Sequence, residues 1–129
     1  MFNRTTEICV DFDGTCVSHE YPEVGNDIGS IPVLKRLVEN GMNLILFTMR
    51  GEDCGLEDAV KWFADNDIPL YGINANPEQA KWTKSPKAYA QLYIDDAALG
   101  VPLKVDPNIS ARPFVDWQKV EDILFGIGE

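Results

Sequence analysis

The stretch Ile8-Cys9-Val10-Asp11-Phe12-Asp13-Gly14-Thr15 decides how the rest of the chain is read. Its first three residues are apolar and suit a short buried strand, and a carboxylate ends the run. A second carboxylate follows two positions on. Gly14 then offers a tight turn with a φ that other residues resist. Like charges this close raise each other's pKa unless a cation sits between them. An isolated Asp-x-Asp-Gly is most simply an Asx-type turn that closes a strand. With Thr15 added, chance supplies the five-residue string in roughly one chain in a thousand of this length. The chemistry it suits is one carboxylate as nucleophile and the other as acid and base, with Mg²⁺ lessening their repulsion.

Outward from this string, short apolar runs alternate with amphipathic ones. Ser18 to Ser30 is polar, carries Gly and Pro, and reads as loop. Ser30 is placed to cap a helix with Ile31, Val33, Leu34, Leu37 and Val38 as its apolar positions and Gly41 as its stop. Met42 to Phe47 is a second buried strand, ending at Thr48. Leu56 to Ala64 reads as a second helix, with Ala59, Val60 and Phe63 on one face. Leu70 to Ile73 suits a third strand, and Asn74 to Pro86 shows no clear period. Ala88 to Ile94 leads into a fourth strand that stops at Asp95-Asp96. Pro102 to Pro113 reads as loop with a short strand at Leu103 to Val105, and Val115 to Phe125 as a closing helix. The alternation predicts an α/β fold: a three-layer sandwich with a mostly parallel, Rossmann-like sheet covered on both faces. Ligands bind beyond the carboxyl ends of such strands, where Asp11, Thr48 and Asp95 would share one crevice.

Composition bounds the function. A chain of 129 residues is expected to form one domain spanning 1–129. Hydrophobic residues at 45% and charged residues at 25% exclude a mostly disordered chain. A net charge of −10 opposes broad electrostatic binding of nucleic acid. Cys9, Cys16 and Cys54 with the single His19 form no zinc-binding pattern, and three thiols suit a reducing compartment, so a cytoplasmic location is expected. No run approaches the length of a membrane span.

The remaining polar candidates lie at the other strand ends. Asp95-Asp96 alone reads as a helix cap or solvated turn, but beside Asp11 and Asp13 it reads as part of a cation site. The Thr48 hydroxyl and nearby backbone N–H groups suit a phosphate oxygen, or else cap the next turn. Arg50 suits an anion clamp or a surface pair with Glu52 or Asp53. Lys81, Lys84 and Lys87 cluster before the fourth strand; one fixed ammonium would help hold phosphate, with Lys87 the first choice and Lys84 the second. Arg112 could reach the cleft or simply pair with an acid, and Tyr21, Trp62 and Trp82 read as packing.

Together these residues resemble the haloacid dehalogenase superfamily of Mg²⁺-dependent phosphatases. Asp11-Phe12-Asp13-Gly14-Thr15 matches its first motif, Thr48 looks like its second, Lys87 its third and Asp95-Asp96 its fourth. The run Lys87 to Asp96 looks like that of a small bacterial and phage subgroup. The resemblance implies that Asp11 attacks phosphorus to form an aspartyl-phosphate, while Asp13 protonates the leaving oxygen and later deprotonates water. It implies that Thr48 and Lys87 hold the phosphoryl group, and that Asp11, the Asp13 carbonyl and Asp95 or Asp96 hold Mg²⁺. Thirty-seven residues lie from Asp11 to Thr48 and 39 from Thr48 to Lys87, too few for a large cap domain. An open site of this kind suits a macromolecular or bulky phosphorylated substrate, or closure by a partner subunit in an oligomer; a phosphorylated small molecule is the other substrate expected. Three rivals remain: a receiver domain, in which the acid order would be reversed; a polynucleotide end phosphatase, for which Arg50, Lys81, Lys84 and Lys87 would have to form a basic groove; and a phosphatase-like binding module without turnover.

Overall fold

The computed structural model describes residues 6–126. The first strand, β1 (Glu7–Val10), lies between β2 (Asn43–Leu46) and β4 (Leu92–Ile94), and β3 (Gly72–Ile73) flanks β2, giving the order β3-β2-β1-β4. All three pairings are parallel. Cys9 stands opposite Ile45 on one side and Tyr93 on the other, so alternate residues of the three strands share a face.

One face carries the main core. Ile8, Val10, Leu44, Leu46 and Ile94 pack there with residues of all three helices: α1 (Ser30–Glu39), α2 (Leu56–Asp65) and α3 (Trp117–Phe125). Leu34 and Leu37 come from α1, Ala59 and Phe63 from α2, and Trp117 and Val120 from α3. Burying one such Leu or Phe side chain contributes about 1.5–3 kcal/mol relative to exposure.

Connection handedness explains why the helices gather on one side. From β1 through α1, β2 and α2 to β3 the chain moves steadily across the sheet, and right-handed crossovers put both helices on the same face. To reach β4, on the far side of β1, the chain must return across the other face. Residues 74–91 do so as coil with one 3₁₀ turn at Gln79–Lys81. Ala88 and Ala90 pack there with Cys9, Ile45, Phe47 and Tyr93. Two buried side-chain amides replace a backbone ladder. Gln79 Nε2 donates to the Ser85 and Lys87 carbonyls while its Oε1 accepts from Tyr89 N. Asn76 bonds the Tyr89 carbonyl and Glu78 N. The sheet is thus covered on both faces as expected, but the third layer is coil, because its order comes from amides rather than a helical apolar stripe.

Two boundaries differ from expectation. Ser30 does not cap α1: Gly29 occupies the cap position, and the buried Ser30 hydroxyl donates to the Cys16 carbonyl instead. Nor does α3 begin at Val115. Asp116 caps it, accepting from Lys119 N, while Phe114–Val115 forms β6, antiparallel to β5 (Leu103–Lys104). Val115 N donates to the Gly14 carbonyl at 3.0 Å, and Trp117 Nε1 donates to the Thr15 carbonyl at 2.6 Å. The C-terminal segment therefore braces the turn after β1. Among the described residues no helix is long and apolar enough to cross a membrane.

Candidate active site

The direction of strand addition reverses between β1 and β4, so the crevice outside their carboxyl ends is where such a sheet takes ligands. Asp11 follows β1, Asp95-Asp96 follow β4, and Asp11 N donates to the Ile94 carbonyl at 3.0 Å. Beyond Asp11 the chain folds back on itself: Thr15 N and Cys16 N both donate to the Phe12 carbonyl. The buried Thr15 hydroxyl links the two segments, donating to Asp11 Oδ2 at 3.0 Å and accepting from Asp96 N at 3.0 Å. One carboxylate oxygen each of Asp11, Asp95 and Asp96 lies within 4.8 Å of the others.

The electrostatics follow from this crowding. Burial, then the charges of Asp95 and Asp96, push the Asp11 carboxyl up to about 7, against hydrogen bonds from Phe12 N and Thr15 that favour its anion. Asp96 is also raised, chiefly by burial. An acid whose pKa is higher folded than unfolded stabilises the fold at low pH, and that contribution disappears as pH rises through the folded value. In chelator, the melting temperature is therefore expected to fall across the range from about 4 to 7 as Asp11 ionises. Mg²⁺ should recover the loss at pH 8, a result that differential scanning fluorimetry at several pH values would register. The donor set fits a hard cation: three carboxylates offer oxygen ligands and their repulsion is what a divalent ion relieves.

Gly14 makes the approach of Asp96 feasible. Its φ is +80°, and a Cβ there would lie 2.9 Å from Asp96 Cγ and closer still to Oδ2. Gly14→Ala is expected to lose about 1–2 kcal/mol through the left-handed backbone alone. It should also weaken Mg²⁺ uptake by displacing Asp96, measured by titration calorimetry beside thermal melting.

Asp13 turns away from this cluster. Its Oδ2 accepts from Arg50 Nε and its Oδ1 from Arg50 Nη2, both at 2.8 Å. The Asp13 carboxylate, expected among the metal-holding groups, is thus engaged by Arg50 and is not one of the three that meet. Arg50 is 2% exposed. Its remaining N–H groups donate to the Pro22, Glu23 and Gly55 carbonyls, and its guanidinium lies 5.1 Å from the Phe12 ring centre and 5.0 Å from that of Tyr21. The expectation of a phosphate clamp, or of a surface pair with Glu52 or Asp53, is corrected: every donor of Arg50 is spent inside the protein. The sequence could not show this, since Glu23, Asp13 and Gly55 meet Arg50 only through the fold.

Thr48 stands at the same sheet edge, one residue past Phe47, whose N donates to the Val10 carbonyl. Its hydroxyl accepts from Arg50 N at 3.1 Å, and its N donates to Asn74 Oδ1 at 2.8 Å. Lys87 is exposed with its ammonium 5.3 Å from the Tyr93 ring centre, and among the described residues no ion pair joins it to the acids. Lys81 pairs with Glu78. Lys84 is exposed, and Arg50 is buried and therefore does not line the basic groove that a polynucleotide reading requires. Arg112 rests against His19 (Nη1 to Nδ1 3.4 Å), with the Glu20 carboxylate nearby. Sequence reasoning gave Thr15 and Asn74 no role. Thr15 has a readable signal, a hydroxyl four residues after Asp11 in the same turn. Asn74 has a weaker one, since Asn tolerates left-handed backbone.

These features define a small parallel-sheet α/β protein with an acid-lined strand edge. No known family profile matches the chain, and no curated protein is similar to it. Among solved structures it is similar to a conserved protein from Bacteroides thetaiotaomicron, with 30% identity and a TM-score of 0.74 over 93% of this chain and 89% of that one. The chain belongs to the same family as that conserved protein.

Proposed function

We propose that the protein is a Mg²⁺-dependent phosphatase of the haloacid dehalogenase type that hydrolyses a phosphomonoester through an aspartyl-phosphate on Asp11. The observation that carries the reading is the meeting of the Asp11, Asp95 and Asp96 carboxylates at the reversal point of the sheet. A bound Mg²⁺, held by Asp11 and by Asp95 or Asp96, would supply charge neutralisation for an incoming phosphate and for the nucleophile.

The chain's own groups do the rest. The Thr15 hydroxyl orients Asp11 through its hydrogen bond to Oδ2, leaving Oδ1 to attack phosphorus as the ester oxygen departs. For Asp13, two residues on, to give a proton to that oxygen and later take one from the water that cleaves the aspartyl-phosphate, its carboxyl must swing toward Asp11 from Arg50, which holds both of its oxygens at rest. At the neighbouring strand end, the Thr48 hydroxyl and the Met49 N–H, which has no protein partner among the described residues, are the donors for phosphate oxygens. Lys87 enters only if its long side chain leaves Tyr93. Purified protein should release phosphate from p-nitrophenyl phosphate with Mg²⁺ and stop when EDTA is added; screening phosphorylated metabolites and short phosphorylated oligonucleotides would then locate the substrate. Failure to turn over any phosphoester across such a panel would overturn the reading and favour a phosphatase-like binding module.

A further inference from the structure

We infer that Asn74 is a positioning residue for the phosphate-holding turn Thr48-Met49-Arg50, an inference that rests on the function proposed above. Asn74 follows β3 directly, beside the end of β2. Its φ is +53°, and among the described residues the only other non-glycine with positive φ is Asp67. Left-handed backbone is disfavoured for L-residues, and Asn is among those that accept it best. Non-glycine residues in such conformations concentrate at sites where the surroundings hold them for a purpose.

The purpose is visible in two hydrogen bonds. Asn74 N donates to the carbonyl of Leu46, the last residue of β2, at 2.7 Å. Its side-chain Oδ1 accepts from Thr48 N, two residues further along the same strand exit, at 2.8 Å. One residue thus grips β2 where it ends and again where the turn begins. The left-handed conformation lets backbone and side chain of Asn74 reach these two groups together. A residue in extended conformation would carry its side chain elsewhere.

The grip determines which donors the turn has left. Thr48 N is taken by Asn74, and Arg50 N by the Thr48 hydroxyl oxygen. Thr48 Oγ1 therefore keeps its hydrogen, and Met49 keeps its N–H. The buried Arg50 side chain anchors the far end of the turn, whereas Met49 has a fully solvent-facing side chain, 95% exposed, that anchors nothing. The near end, at Thr48, depends on Asn74 from outside and on the Arg50 N–H from within. Misplacing two donors by about 1 Å can cost on the order of 10²-fold in rate.

Glycine separates the side chain from the backbone, because it adopts positive φ without strain and removes only the acceptor. Asn74→Gly is expected to melt within a few degrees of wild type, with kcat for p-nitrophenyl phosphate about tenfold lower. Asn74→Asp keeps the acceptor and should hold kcat within about threefold, with a higher KM because its added charge repels the anionic substrate. Inorganic phosphate titrated into ¹⁵N-labelled protein with Mg²⁺ should shift the Met49 amide in wild type and Asn74→Asp, and much less in Asn74→Gly. Equal kcat in the Gly and Asp variants, or an unmoved Met49 amide in wild type, would overturn the inference. If Asn74→Gly does not fold, Asn74→Ala takes its place with the same outcomes. A Met49 amide that responds to phosphate in an Asn74-dependent way, in a protein that turns over no ester, upholds the positioning role while the phosphatase reading fails.

Discussion

Asp11→Asn is expected to lower phosphate release by about 10⁴-fold or more, the scale seen when a covalent nucleophile is removed. The amide is nearly the same shape, so the Thr15 hydroxyl still has an oxygen to meet. What it lacks is the charge that attacks phosphorus. A second consequence separates this loss from damage to the fold. Asp11 is held at a pKa of about 7 by burial and by Asp95 and Asp96, so above that pH its ionised form costs stability when no cation is present. The amide removes that cost. The variant should therefore melt higher than wild type in EDTA at pH 8 while being nearly inactive in Mg²⁺. A variant that is inactive because it is misfolded would melt lower, and one that retains turnover would remove Asp11 from the mechanism.

Arg50→Ala is expected to destabilise the protein by about 3–5 kcal/mol, the range for removing one partner of a buried ion pair. Asp13 would lose both of its Arg50 contacts, and the Pro22, Glu23 and Gly55 carbonyls would lose a donor. Natural domains hold only about 5–15 kcal/mol in total, so a loss of this size is large; it corresponds to a drop in melting temperature on the order of 10–20 °C. Urea unfolding measures it directly. Asp13→Asn in the Arg50→Ala background should recover part of the loss, since the stranded charge is then gone. Arg50→Ala alone changing stability by less than about 1 kcal/mol would show that the pair is wetter than side-chain exposures of 1% for Arg50 and 13% for Asp13 indicate.

The contrast between Asp11 and Arg50 shows what the sequence discloses and what it withholds. Asp11, Thr48 and Asp95-Asp96 each end an apolar run, and strand ends in a parallel sheet share an edge. The meeting of Asp11 with Asp95-Asp96, and the place of Thr48 on the same edge, were legible because one rule of topology covers them all. The α1 and α2 faces were legible for a similar reason, through apolar periodicity. Arg50 was not, because its partners come from residues 13, 22, 23 and 55 and no local pattern joins them. Asn74 to Pro86 defeated period counting for a related cause: Gln79 and Asn76 organise the segment through side-chain amides, which leave no apolar period. Asp116 outcompeted Val115 at the start of α3 because an acidic cap satisfies free helix N–H groups and a β-branched residue prefers the strand opposite Leu103. Lys87 was chosen by its distance from Asp95 along the chain, which carries no information about where a long, exposed side chain comes to rest.

A crystal structure with Mg²⁺ and beryllium fluoride, a stable mimic of an aspartyl-phosphate, tests the central claim most directly. The account predicts a beryllium trifluoride adduct on the Asp11 carboxylate, with the metal bound by Asp11 and by Asp95 or Asp96, and the fluorines facing Thr48 and Met49. Crystals that show no adduct at Asp11 under conditions where the metal is bound, or a metal bound away from these three acids, would contradict it.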